Sequence, residues 1–383
     1  MDELVASDNW EEPVIPDLPD DVALECLFRV PHSCLAAMRA VSRRWRKLVG
    51  GPDFSEERKL RGTADGFACL VQQHAAPAAG TLAEAARTGR KSAASGRGPP
   101  VYGITLFDPR RGSWERLQYP DGHQGGLPLF CQCVSVAGKL VILGGWDCVT
   151  WEATRGVSVY DFRTRRWSKG KDMPGPARSF FAAAVAERTT SGGVGGSGGR
   201  GLVFVAGGHD ENKNALRTGA VYDVGRDEWE ELGEAMEEER DECEGLMVGK
   251  EFWVVSGYGT EGQGRFKESA EAFDTETGRW RRVDGAWAGG ACPRSLCLGV
   301  ADGDGGNSRV VSVDADGSNG AVKMGRCVVG MAGNWALVTG TAHEGAPVGC
   351  CLVDVGKNGG AWTRVEMPPD FSGFVQSGCF VEI

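Results

Sequence analysis

Long apolar runs, clustered bases and histidines are all scarce in this chain of 383 residues. No hydrophobic stretch approaches the roughly 20 residues of a membrane helix, so no membrane span is expected. The 42 Lys and Arg stand against 52 Asp and Glu, a net charge of −10 that argues against nucleic acid, which demands clustered Lys and Arg. The start, "MDELVASDNWEEP", is acidic and lacks the basic and apolar segments of a signal peptide, which points to a cytoplasmic or nuclear location. The five histidines, at 32, 74, 123, 209 and 343, are scattered. There is no CxxC, and neither Cys131/Cys133 nor Cys350/Cys351 has His partners at zinc spacing, so no metal and no cofactor is expected. Most of the 13 cysteines sit singly in apolar runs and read as free, buried thiols. No GxGxxG follows a strand, and P-loop, HExxH and GxSxG are missing. Without such a constellation no catalytic residue is assigned, and the chain reads as a non-enzyme.

What is abundant is glycine, 58 residues, together with 12 Trp, a composition suited to many short strands joined by tight turns. A glycine pair recurs in "LVILGGWD" (140–147) and "VFVAGGHD" (203–210), and in "FWVVSGYG" (252–259) Ser256 replaces its first member. A second element, "LFDPRRGSW" (106–114), "VYDFRTRRW" (159–167), "VYDVGRDEW" (221–229) and "AFDTETGRW" (272–280), places Asp after an aromatic and Trp seven positions beyond that aromatic. Successive Trp residues lie 53, 62 and 51 positions apart, and "SGGVGGSGGRG" (191–201) accounts for the longest interval. Each unit parses as four short strands, which is the size of a propeller blade. Positive φ or close packing explains the glycines, and the aromatic and Trp are placed between neighbouring blades. Beyond residue 283 the markers fade. "LCLGVADG" and "SRVVSVDADG" read as half of a fifth blade, and strings up to Trp362 as a sixth. The segment 374–383 is expected to close the first blade, removing the exposed edges of an open ring.

Residues 16–61 differ. Apolar residues recur there at helical spacing, and Asp20, Asp21 and Pro31 bound the first of several short helices. Residues 1–15 are expected to be disordered, and 75–100 and 190–201 to be flexible loops.

The repeat resembles kelch blades, whose double Gly, Tyr-Asp and Trp match position for position. The helical string resembles an F-box: Leu18-Pro19, Asp21-Val22, Cys26-Leu27, Val30-Pro31 and "VSRRW" (41–45), with Ser42 where Cys is usual. The fold expected is therefore an all-β kelch-type propeller of six blades, the fifth degenerate, over residues 62–383, with a small N-terminal α-helical F-box. The F-box resemblance implies binding to a Skp-type adaptor of a cullin ubiquitin ligase. The candidate adaptor contacts are Leu18, Pro19, Val22, Cys26, Leu27, Val30, Pro31, Leu35, Val41, Trp45 and Leu48.

Residues after each glycine pair and before each first strand fall on one face of a propeller. On that face stand Trp146, Asp147, Trp151, Arg178, Phe180, Phe181, His209, Asp210, Glu211, Asn214, Arg240, Asp241, Glu242, Tyr258, Gln263 and Arg294. Arginines and aromatics on a rigid scaffold are what interface hot spots use. From this set Trp146, Trp151, Arg178, Phe180, His209, Asp210, Asn214, Arg240, Tyr258 and Arg294 are the candidate substrate contacts. The strings "GLPLFCQCVSV", "MPGPARSFF", "VAGGHDENKNAL" and "VQSGCFVEI" resemble plant F-box/kelch proteins that bind phenylalanine ammonia-lyase and mark it for degradation. That likeness implies a ligase substrate receptor controlling phenylpropanoid synthesis. Related members imply type-B cytokinin response regulators or chalcone synthase as targets, and a non-degradative scaffold is the rival from another class.

Overall fold

Each Asp of the aromatic-Asp element nucleates a hairpin, because its carboxylate caps backbone amides two or three residues on. Asp108 accepts from the amides of Arg110 and Arg111, Asp161 from Thr164, Asp223 from Gly225 and Arg226, and Asp274 from Glu276 and Thr277. The turn returns the chain so that the Trp lies opposite the aromatic, pairing Phe107 with Trp114, Tyr160 with Trp167, Tyr222 with Trp229 and Phe273 with Trp280. The rings of each pair lie 4.5–5.2 Å apart. The indole Nε1 then donates to a carbonyl of the chain leaving the previous blade: Glu366, Gln118, Lys171 and Glu234 in turn. The sequence element therefore specifies both a hairpin and the seam to the neighbouring blade.

The structure, a computed structural model, describes residues 13–74, 101–119, 126–188, 200–288, 290–294, 296–301, 308–313, 320–356 and 361–383. The chain divides into a helical unit running to Asp65 and a β unit from Gly66 to Val381. In the β unit, β1 (Gly66–His74), β2 (Val101–Asp108) and β3 (Ser113–Leu117) form the first blade. The second holds β4 (Gln132–Val136), β5 (Lys139–Leu143), β6 (Val157–Asp161) and β7 (Arg166–Gly170). The third holds β8 (Ala182–Arg188), β9 (Arg200–Ala206), β10 (Gly219–Asp223) and β11 (Glu228–Glu231). The fourth holds β12 (Glu244–Val248), β13 (Glu251–Val255), β14 (Ala270–Asp274) and β15 (Arg279–Val283). The fifth has, among the described residues, only β16 (Cys297–Ala301) and β17 (Ser308–Ser312). The sixth holds β18 (Met324–Gly330), β19 (Trp335–Thr341), β20 (Val348–Asp354) and β21 (Trp362–Val365), and β22 (Val375–Glu382) adds to β1 as a fourth strand of the first blade.

Apolar side chains fill the spaces between blades. Leu143, Met173, Phe181, Val203, Val205 and Tyr222 form one such cluster, and Phe204, Met236, Phe252, Val254 and Phe273 the next. The glycine pairs have the positive φ expected: 57° and 91° at Gly144 and Gly145, 70° and 79° at Gly207 and Gly208. A Cβ on Gly207 would lie 2.5 Å from the Arg240 carbonyl of the following blade, so close packing adds to the demand of φ. Ser256 holds φ 58° without being glycine, and its buried hydroxyl has no hydrogen-bond partner among the described residues.

The helical unit comprises α1 (Asp20–Phe28), α2 (Leu35–Val41), α3 (Arg43–Gly50) and α4 (Pro52–Leu60) around Val14, Ala23, Leu27, Phe28, Met38, Val49 and Phe54. Ser42, the departure from the F-box pattern, is the N-cap of α3, and its hydroxyl accepts from the Trp45 amide at 3.1 Å. Trp45 in turn donates Nε1 to the Val14 carbonyl at 2.7 Å.

Two expectations on the edges of segments change. Pro13–Ile15 are described, with Val14 buried in the helical core, whereas residues 1–12 of the stretch expected to be disordered lie outside the described residues. Of the loop expected at 190–201, Arg200 and Gly201 begin β9. Gly201 is required there, because a Cβ would come within 2.5 Å of Val136. Residues 190–199 and the other expected loop, 75–100, lie outside the described residues.

Candidate functional site

Three consecutive blades present the same pair of residues to one place. The residue after each glycine pair is Trp146, His209 or Tyr258, and it bridges back to Leu129, Ser179 or Asp241 respectively. Directly after each of those partners comes Phe130, Phe180 or Glu242, two residues before the innermost strand of its blade. All three hold left-handed backbone, at φ 56°, 56° and 50°. Non-glycine residues seldom hold that conformation, and its recurrence at equivalent positions of one site marks imposed strain.

All six side chains line a cavity of about 530 Å³, with Trp151, Lys213, Ala215, Asp241, Thr260 and Gln263 completing much of its wall. Phe130 and Phe180 pack with centroids 4.4 Å apart, and the His209 ring stacks on Phe180 at 5.4 Å. Trp151 is 59% exposed at φ 60°. Its turn is set by Asp147, whose carboxylate accepts from the amides of Val149 and Thr150.

A hydrogen-bonded chain runs beneath these rings through three blades. Trp146 Nε1 donates to Ser179 Oγ at 2.7 Å, Ser179 Oγ lies 2.9 Å from His209 Nε2, and His209 Nδ1 lies 2.9 Å from both oxygens of Asp241. One assignment satisfies every atom: His209 carries its proton on Nδ1, and Ser179 accepts from the indole and donates to Nε2. The order Ser–His–Asp is that of a nucleophilic triad, but Ser179 has no exposed surface and its oxygen is capped by the indole. The chain is thus a tie between blades. Tyr258 donates its hydroxyl to Glu242 at 3.0 Å. Burial, then the carboxylates of Asp241 and Glu242, push the Tyr258 phenol above its ordinary range, so it stays a donor.

The candidate substrate contacts divide. Trp146, Trp151, Phe180, His209 and Tyr258 line the cavity. Asp210 and Asn214 shape the loop that bears Lys213. The Asp210 carboxylate accepts from the amides of Asn212 and Asn214 and from Asn214 Nδ2. Arg294 is not among the lining residues named, and its guanidinium stands 4.7 Å over the Phe180 ring. Arg178 and Arg240 are corrections. Both are buried and hold the carbonyls of the glycine turn in their own blade. Arg178 donates to the Gly207 and Thr218 carbonyls at 3.3 and 3.0 Å, and burial lowers its guanidinium to about 10. Arg240 donates to the Ser256 and Ser269 carbonyls at 2.8 and 2.9 Å and pairs with Glu271 at 3.1 Å. Phe181 is likewise core. Phe130, Ser179, Lys213 and Thr260 were not foreseen. Aligning "LPLFC" with "ARSFF" on the innermost strands would have revealed Phe130 beside Phe180.

Among the candidate adaptor contacts, Leu27 is core, because α1 turns Ala23, Leu27 and Phe28 inward. Leu18, Val30, Leu35, Trp45 and Leu48 are partly buried against that core, and Pro31 is intermediate. Pro19, Val22, Cys26 and Val41 are exposed, Val22 to 43% and Val41 to 63%.

The remaining reactive groups are thiols. Cys133 and Cys379 stand 3.6 Å apart beside Cys69. Burial opposes charge on these thiols, and the Ser135 hydroxyl beside them donates to the Phe380 carbonyl.

Comparison with known proteins agrees with both units. The F-box domain family matches residues 15–56 and the Kelch motif family residues 129–174. F-box/kelch-repeat protein At1g15670 of Arabidopsis thaliana is 35% identical over 392 aligned positions, which cover 97% of this chain and 99% of that protein. F-box/kelch-repeat protein At1g80440 of the same plant is 34% identical over 97% of this chain and 99% of its own length. F-box/kelch-repeat protein At2g44130, also from Arabidopsis thaliana, is 41% identical, over 72% of this chain and 66% of that relative, just under two thirds. Among the described residues no helix is long and apolar enough to cross a membrane.

Proposed function

The chain belongs to the plant F-box/kelch-repeat family, and from that premise we propose that it is the substrate-recognition subunit of a Skp–cullin–F-box ubiquitin ligase. F-box/kelch proteins act as substrate adaptors of such ligases. The helices of residues 16–61 dock the adaptor, and the propeller presents a target to the transferring enzyme. The chain does no bond-breaking itself; its contribution is proximity and orientation. The observation that carries this reading is the apolar surface left open on a small helical unit, Pro19, Val22, Cys26 and Val41, which suits a partner helix. Capture of a purified Skp-type adaptor by the full chain tests it. Val22→Asp with Val41→Asp, both exposed and so harmless to folding, should reduce capture more than ~10-fold, the scale of a lost interface hot spot. Undiminished capture by that variant sinks the assignment.

For the target, the resemblance of the strings noted above supports phenylalanine ammonia-lyase or another phenylpropanoid enzyme. A trap with the helical unit deleted and the proteasome inhibited would capture it. Absence of the enzyme from the trap, or an unchanged level of it on inhibition, speaks against this target or for a non-degradative scaffold. The place of action proposed is the cytoplasm, with the nucleus as the alternative.

A further inference from the structure

The cavity described above has a chemical character of its own. Its walls are aromatic: Phe130, Trp146, Trp151, Phe180 and Tyr258. Its two carboxylates come from adjacent residues, Asp241 and Glu242. Asp241 is committed to His209 through both oxygens. Glu242 is not committed in this way. One of its oxygens accepts from Tyr258, and it forms no ion pair among the described residues. A carboxylate facing an aromatic cavity is costly to desolvate unless a cation meets it. The backbone nevertheless holds Glu242 there at φ 50°.

The surrounding loops add to the negative field. Residues 146–153, 209–215 and 258–266 carry Asp147, Glu152, Asp210, Glu211 and Glu261 against Lys213 and Arg265. Aromatic faces attract ammonium and guanidinium groups, and the methylene stems of Lys and Arg pack on the same rings. Arg294 already shows this preference, its guanidinium lying over the Phe180 ring. An acidic side chain would meet two carboxylates in this cavity. A purely apolar one would bury Glu242 without a counter-charge.

Building on the receptor reading, we propose that the cavity receives a lysine or arginine side chain from a segment of the captured protein, its charge on Glu242 and its stem along the aromatic walls. Lys213 also lines the cavity, and it is exposed on its loop. The site thereby selects a target with a protruding basic residue.

The test uses the full chain, alone and with the adaptor added, and four tripeptide amides, acetyl-Gly-X-Gly, with X as Arg, Lys, Leu or Glu. Binding is followed by tryptophan fluorescence and calorimetry. The Arg and Lys peptides should bind ~10-fold tighter than the Leu and Glu peptides, and the advantage should shrink with added salt. Glu242→Gln should remove most of that advantage, and Trp151→Ala, at an exposed position, should weaken cationic peptides several-fold, on the scale of a cation–π contact. Equal or tighter binding of the Leu or Glu peptide, no binding of any peptide, or an unchanged preference in Glu242→Gln each overturns the proposal. Adaptor capture is measured in the same samples. Lost peptide preference with capture intact condemns the cavity reading alone. Failure of the unaltered chain to capture adaptor condemns the receptor reading and leaves the peptide result standing.

Discussion

Three arginines precede the innermost strands of the third, fourth and fifth blades, and they do three different things. Arg240 is fully buried and paired with Glu271, itself 2% exposed. Arg178 occupies the matching place one blade earlier, but the counterpart of Glu271 there is Ala220, so it binds carbonyls and the Thr218 hydroxyl without a carboxylate. Arg294 holds no turn and stacks on Phe180. Identical residues at neighbouring points of a repeat are thus separated by what the next strand supplies. A buried cation with a buried anion is mutually dependent, a buried cation on carbonyls is replaceable, and a stacked cation is nearly independent of the fold.

The comparison can be broken by substitution. Arg240→Met strands the Glu271 carboxylate and should cost about 3–5 kcal/mol in urea unfolding. The double variant Arg240→Met, Glu271→Leu should recover much of that loss, and a loss equal to the sum of the two singles would refute the pairing. Arg178→Met leaves carbonyls but no charge behind, and should cost about 1–2 kcal/mol; a cost matching Arg240→Met would erase the distinction. Ser256→Gly gives the fourth blade the residue its φ of 58° favours and should stabilise by about 1 kcal/mol, seen as a raised thermal midpoint. Arg294→Ala should change stability by less than about 1 kcal/mol, the scale of one stacking contact.

The blades were legible because their markers do local work that any sequence displays: an Asp that caps a turn and a Trp that must sit opposite an aromatic. The fifth blade has neither marker, and among the described residues it reduces to β16 and β17. The site was legible in part. Trp146, His209 and Tyr258 follow the glycines, and their position predicts where they point. Arg178 and Arg240 were misread because an arginine beside a turn looks the same whether it faces solvent or buried carbonyls. What decides is the demand of those carbonyls for a donor, which only packing reveals. Leu27 was misread for a similar reason, since Val22, Cys26 and Leu27 share a broad stripe and the neighbouring helices choose which edge is inside. Ser42 shows the converse, since a departure from a motif proved to be a helix cap.

The seam between β22 and β1 carries a kinetic consequence. Gln72 reaches the Gly373 carbonyl at 2.9 Å and the Gln73 amide reaches Phe374 at 2.8 Å, the first of these spanning 301 positions. Connections within a blade span from 2 residues, between β4 and β5, to 26, between β1 and β2, whereas this seam closes one of hundreds, and the entropy of that search grows with its length. Local strand pairing within blades is therefore expected to precede the β22–β1 seam, the contact of greatest sequence separation, in refolding followed by stopped flow. Until then β1 presents an unpaired edge to other chains. The time the closing strand takes to find the first blade is thus the interval in which misassembly through that edge is expected.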